Sequence, residues 1–202
     1  MRSFAAALAL LFAGVQAGSG RGSCSDNPIS GVAEFDQDRF AGRWYKISMD
    51  SDFFDEDQNC SAEDWVVNFN GTLTVGKNSY TLANGWEQKP MRAIQSSNNK
   101  GEYIVFDEEE QPDRDANTDV YIVATDYENW AIEYVCVDIV PGKLYFDSTS
   151  ILGRAPQLTD TDSDLIKILL DNRLDQYNQK KLTDVVQCRI CPFAGIPELL
   201  SE

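Results

Sequence analysis

No histidine occurs anywhere in the 202-residue sequence. Because imidazole is the usual near-neutral proton carrier and a common zinc ligand, its absence excludes Ser–His–Asp and Cys–His catalysis, His-ligated zinc and histidine proton shuttles together. Positive charge is also scarce: 17 Lys and Arg face 33 Asp and Glu, a formal net charge of −16. A surface of that sign repels phosphate backbones and anionic bilayers, so nucleic acid is not an expected partner. Beyond the first residues there is no long apolar run, and no transmembrane segment is expected. The acidic stretches DSDFFDED (50–57) and DEEEQPDRD (107–115) lack the glycine and ligand spacing of an EF-hand. They read as solvated connections, and no metal site is expected.

What is present begins with MRSFAAALALLFAGVQA, which has a basic residue at Arg2, an apolar stretch from Phe4 to Val15, and small residues at Val15 and Ala17. That layout predicts a secretory signal peptide over 1–17. As an uncleaved anchor the stretch falls short of the roughly 20 residues needed to span a bilayer. The mature chain, 18–202, is then predicted to be a single secreted, extracellular domain. Its five cysteines, at 24, 60, 136, 188 and 191, enter an oxidising compartment, where two bridges and one leftover thiol are the natural count. CRIC at 188–191 superficially resembles a redox motif, but no βαβ unit leads into it.

From about 42 to 154 the chain is a series of short aromatic and β-branched runs: GRWYKISMD, DWVVNFN, TLTVG, SYTLANGWEQ, MRAIQSS, EYIVFD, DVYIVATD, WAIEYVCVD and KLYFDSTSIL. Turn signals separate them, with NG at 70–71, NNKG at 98–101, a polar stretch at 107–118 and PGK at 141–143. Eight or nine strands joined by tight turns predict an all-β antiparallel meander closed into a barrel, which removes its edges and leaves room for one small ligand. After 154 the period changes. Leu165, Ile168, Leu169 and Leu174 mark one face of a helix over about 161–176, expected to pack on the outside of the barrel, with a tail over 182–202.

Three separated blocks then coincide in order: Gly42-Arg43-Trp44 opening the first strand, Thr125-Asp126-Tyr127 ending a late one, and Arg154 after the last. This resembles the lipocalin family. FDQDRFAGRWYKI, VATDYENWAIEYVC, ILGRAP and LTDVVQC extend the resemblance to its apolipoprotein D-like branch, with the bilin-binding and crustacyanin-type members. The resemblance implies an eight-stranded up-and-down calyx in which Trp44 plugs the closed end under the Arg154 guanidinium, a cation–π pair. It gives Gly42, Thr125, Asp126 and Tyr127 structural roles, and it implies the bridges Cys24–Cys136 and Cys60–Cys188. Cys191 is left free or available to link a second chain.

If Cys136 is tied to an arm outside the barrel, strand alternation turns Ala131, Glu133 and Val135 inward. The family's register implies that Val120, Ile122 and Ala124, Phe146, Ser148, Ser150 and Leu152, and Trp65 with Val67 also face in. On EYIVFD, Ile104 with Phe106 is favoured over Tyr103 with Val105, and Trp86 is added on its size. The resulting ligand-binding set is apolar with few polar points, suited to a lipid, sterol, fatty acid, retinoid or bilin or carotenoid pigment. Glu133 stands out, since an inward carboxylate must be protonated, hydrated or paired; it accepts from a ligand or reaches Lys46 or trapped water. Asn70-Gly71-Thr72 is a glycosylation sequon at a predicted hairpin tip, and Asn59-Cys60-Ser61 matches the same pattern around a cysteine.

The function implied is a secreted carrier of a small hydrophobic molecule, with no cofactor beyond that ligand or pigment. A protein-binding or pigment-complex subunit is the alternative, a homo- or hetero-oligomer linked through Cys191. An enzyme of the same family would need a reactive thiol inside the barrel, and the cysteines fall on outer or terminal positions, so catalysis is not expected.

Overall fold

A computed structural model describes residues 19–26, 29–50, 59–81, 85–96, 100–107, 118–187 and 191. The predicted signal peptide, Cys188 and the end of the tail lie outside the described residues. Eight long strands follow one another: β2 (Gly42–Asp50), β3 (Asn59–Val67), β4 (Leu73–Thr81), β5 (Gly85–Gln95), β6 (Glu102–Asp107), β7 (Thr118–Thr125), β8 (Trp130–Val140) and β9 (Leu144–Gly153). Each pairs antiparallel with the next, and β9 returns to β2 through Tyr45↔Gly153, Lys46↔Leu152 and Met49↔Ser150. Closure leaves no edge along the meander. Two short strands extend it: β1 (Ser19–Arg21) on β9 and β10 (Leu182–Asp184) on β2. A one-turn helix, α1 (Gln37–Phe40), precedes β2, and α2 (Asp160–Arg173) follows β9.

Alternation divides the strand residues between two apolar clusters. Trp44, Trp65, Leu73, Val75, Ala93, Tyr103, Val105, Val120, Ile122, Ala131 and Leu152 fill the barrel, joined by Phe35 and Phe40 from the N-terminal arm. Val123, Ala124, Trp130, Ile132, Tyr134 and Ile151 face out and meet Ile166 and Leu170 of α2. Ala124 was expected inside. The pairing shifts between Ile122↔Glu133 and Ala124↔Ile132, and this bulge inserts Val123 and turns Ala124 outward. The Val123 carbonyl accepts a 2.9 Å hydrogen bond from Arg173 Nη1, which ties α2 to the bulge.

α2 is capped by Thr159, whose hydroxyl accepts from Asp162 N, and it ends at Arg173, three residues short of the expected end. Its buried stripe is Ile166, Leu170 and the C-cap residue Leu174, each four residues apart, with Leu169 partly buried. Leu165 and Ile168, expected on that stripe, are 42% and 58% exposed. A one-residue offset rotates a helical face by about 100°, enough to exchange these neighbours. TLTVG, SYTLANGWEQ and MRAIQSS regroup into two long strands divided between Thr81 and Gly85.

Two disulfides fasten the arms to the barrel. Cys24 joins Cys136, spanning 112 residues of chain. The second bridge is Cys60–Cys191, across 131 residues, in place of the expected Cys60–Cys188. Cys191 is thereby consumed within the chain and is no longer available for a link to a second copy. A spacing of three residues between two candidate cysteines leaves their order to the path of the tail. Here that path is set by Val186 O accepting from Cys60 N, and by Gln187 Nε2 donating to the carbonyls of Lys46 and Ser61.

Candidate functional site

The closed end is built around Trp44. Its ring is fully buried and stacks on Phe40 at 4.8 Å, and its Nε1 donates to Phe40 O at 2.8 Å. The Arg154 Cζ lies 3.7 Å from the Trp44 ring centroid on the solvent side. Its guanidinium donates to the carbonyls of Tyr127, Arg43, Arg39 and Phe40 at 2.9–3.1 Å. Partial burial lowers the Arg154 pKa to about 10, so the cation persists at neutral pH. Gly42 sits at φ +100°, and a Cβ there would lie 3.2 Å from Arg154 Nη1. The glycine therefore supplies a left-handed turn and room for the guanidinium.

Thr125-Asp126-Tyr127 forms the neighbouring turn. Asp126 Oδ1 accepts from the amides of Glu128, Asn129 and Trp130, and Thr125 Oγ1 accepts from Tyr127 N. Burial raises the Asp126 pKa less than these donors lower it, so it is held below the usual carboxylate range. Tyr127 takes φ +70° and carries Arg39 over its ring at 4.5 Å.

Above Trp44 lies a layer of aromatic rings. Trp65 meets Phe40 at 5.2 Å and Tyr103 at 5.6 Å, and Phe35 meets Tyr103 at 5.9 Å. This fills the lower half of the barrel with the protein's own side chains. Tyr103 and Val105, 1% and 2% exposed, are the inward residues of β6; the favoured alternative, Ile104 with Phe106, is overturned. Pairing Tyr103 with Val120 fixes the parity, and Ile104 instead pairs with Ile94 on the outer face. Phe106, also on the outer parity, is nevertheless buried. Trp86 likewise falls outside, since Tyr80↔Trp86 continues the outward row of Asn78↔Gln88.

Halfway up, the interior turns polar. Lys46 Nζ lies 2.9 Å from Glu63 Oε1 and 3.5 Å from Glu133 Oε1, and donates to Ser150 Oγ at 3.4 Å. Trp65 Nε1 donates to the other oxygen of Glu63 at 3.1 Å. Burial alone would neutralise these groups, but Glu63 and Glu133 outweigh it and raise the Lys46 pKa well above its ordinary value. Burial pushes Glu63 up, but Lys46, Lys77 and the Trp65 donor pull it well below the ordinary value. Glu133 is pushed up to about 7, first by burial and then by the charge of Glu63. The sequence pointed to Glu133 and named Lys46 as one partner; it missed Glu63. The signal was available: if Trp44 and Trp65 face in, alternation also turns in Lys46, two residues on, and Glu63, two residues back.

Above this layer the inward residues are looser. Val120 is buried against the interior cluster, with Val135 and Met91 partly buried on it. Ser148 and Phe146 share that face through Val135↔Ser148 and Val137↔Phe146, and Phe146 is half-buried. Val67 packs at the opposite, closed end. Lys77, inward by the pairing Glu63↔Lys77, is exposed, and Lys89 meets Asp107 at 2.6 Å. Among the described residues no group of His, Cys, Asp or Glu is arranged to hold a metal ion, and no helix is long and apolar enough to cross a membrane.

A closed eight-stranded antiparallel calyx, plugged at one end and carrying one helix outside, defines a class of barrel proteins. The chain belongs to the lipocalin / cytosolic fatty-acid binding protein family, whose sequence profile matches residues 41–186. Apolipoprotein D of Macaca fascicularis is 28% identical over 190 residues, covering 90% of this chain and 93% of the relative. That of Mus musculus is 30% identical over 168 residues, covering 83% and 85%. Insecticyanin of the tobacco hornworm Manduca sexta shares the fold with a TM-score of 0.69 at 20% identity, over 85% of this chain and 89% of that one. Lobster apocrustacyanin A1 does so with a TM-score of 0.62 at 17% identity, over 82% and 94%.

Proposed function

We propose that this protein is a non-catalytic carrier that encloses one small hydrophobic molecule in the upper half of its barrel. The observation that supports this reading most directly is the contrast in burial along the interior. Below the Lys46 layer every ring is packed, whereas above it Met91, Val135 and Phe146 point inward yet stay partly open. Covering about 300 Å² of apolar ligand surface there gains roughly 7 kcal/mol before the losses of ordering. Val120, Val135, Phe146, Ser148 and Ser150 are the proposed wall, with Met91 added.

The same reading makes the protein secreted after removal of 1–17 and glycosylated at Asn70. That residue sits exposed at the β3–β4 turn, with Thr72 Oγ1 donating to its Oδ1 at 2.7 Å. Leu165 and Ile168, exposed on α2, favour self-association, which light scattering after size exclusion tests directly. The carrier reading is tested with the neutral fluorophore N-phenyl-1-naphthylamine. Saturable one-to-one binding that Val135→Trp abolishes without lowering Tm is the expected result. Binding that ignores Val135→Trp, or no binding, rejects it.

A further inference from the structure

We propose that the floor of this chamber, built from Lys46, Glu63 and Glu133, selects hydrophobic ligands that end in a hydrogen-bond donor, a hydroxyl or an amine, over those that end in a carboxylate. This rests on the carrier reading and adds the head-group chemistry to it.

The cluster holds two carboxylates and one ammonium. Lys46 is ion-paired with Glu63 and Glu133 and donates to Ser150, so its charge is already shared between two carboxylates within the floor. Glu63 Oε2 accepts from Trp65 Nε1, while Oε1 is ion-paired with Lys46 at 2.9 Å but accepts no hydrogen bond, and the side chain, 1% exposed, is closed to an arriving ligand. Glu133 differs. It meets Lys46 only at 3.5 Å, its side chain keeps 5% exposure, and it stands one rung beneath Val135, at the base of the partly open wall. It is the carboxylate of the floor that a ligand passing the Ser148 hydroxyl from above reaches first.

An arriving carboxylate would be a third negative group around the one Lys46 charge, in surroundings where like charges repel strongly. A hydroxyl donates to Glu133 in either protonation state. An ammonium gains more, because it restores a one-to-one balance of charge once Glu133 ionises, and it displaces that proton on binding. Among the described residues, the other charges facing this space are Lys77 on β4, exposed and higher up, Glu87 on β5, inward by Ser79↔Glu87 and exposed, and the Lys89–Asp107 pair. Lys77 offers a carboxylate a rim position, but only with its apolar tail laid against the charged floor.

The test uses three ten-carbon probes, decylamine, decanol and decanoate, titrated into the whole protein at pH 8. Decylamine and decanol should bind at least tenfold more tightly than decanoate. Glu133→Gln should cost decylamine tenfold or more, change decanol less than threefold and improve decanoate. Calorimetry of the unsubstituted protein with decylamine in buffers of different ionisation enthalpy, near pH 7, should show proton release, a readout that needs no variant. Decanoate binding as tightly as decylamine, ratios unchanged in Glu133→Gln, or absent proton release overturns the proposal. If the naphthylamine probe binds and Val135→Trp blocks it while the three ligands do not differ, the head-group inference alone falls. If neither that probe nor any ten-carbon ligand binds, the carrier reading falls with it.

Discussion

Arg154→Ala removes four hydrogen bonds to main-chain carbonyls and the cation over Trp44. A hydrogen bond from a charged donor contributes about 1.5–3 kcal/mol when well buried, and a cation–π contact about 0.5–2 kcal/mol. Arg154 is only partly buried and its bonds share one group, so the full sum overstates the loss. About 4 kcal/mol is the working figure. With a urea m-value of about 2 kcal/mol/M, the unfolding midpoint should drop by about 2 M. Arg154→Lys keeps the charge but not the planar fork that reaches four carbonyls, and should recover about 1 kcal/mol. Urea titration followed by tryptophan fluorescence measures both variants. A midpoint shift below about 0.5 M for Arg154→Ala, or an Arg154→Lys variant as stable as the unsubstituted protein, would refute the closed-end reasoning.

Gly42→Ala forces a side chain into φ +100° beside Arg154 and should cost about 1–3 kcal/mol in the same titration. Non-reducing peptide mapping should recover Cys60 joined to Cys191. Cys60→Ser should destabilise by up to about 5 kcal/mol in the chain-entropy account of a loop that long. The pH dependence separates the two interior carboxylates. Glu133 has a folded pKa above its unfolded value, so its stabilising contribution is full below about 4.5 and fades as pH rises through about 7. Glu63, held low, contributes above its unfolded value and loses that contribution on acidification. Calorimetric Tm across that window should therefore fall less with rising pH in Glu133→Gln than in the unsubstituted protein.

The motifs at the closed end were legible because each residue there answers a local demand: a left-handed glycine, an indole to seal the base, a guanidinium to cover it. Strand alternation carried Val120, Ile122, Ala131, Glu133 and Val135 to the interior as well. It failed where the period was interrupted. The bulge at Val123 reversed Ala124, and nothing in VATD announces an extra residue. EYIVFD is apolar on both faces, so its register is set by its neighbours: Tyr103 must meet Val120. The Cys60 partner was decided by where the tail crosses β2 and β3, a tertiary contact that cysteine spacing does not encode. Glu63 was overlooked because a carboxylate reads as surface until the lysine beside it on the paired strand, two residues beyond its partner Trp44, is known.

The most direct test of enclosure is native mass spectrometry of the protein purified from its own source, followed by gentle collisional activation. A single apolar molecule, retained by the intact chain and missing from Val135→Trp, is the expected result. A bare polypeptide mass that stays bare after incubation with the naphthylamine probe and the ten-carbon ligands would contradict the account.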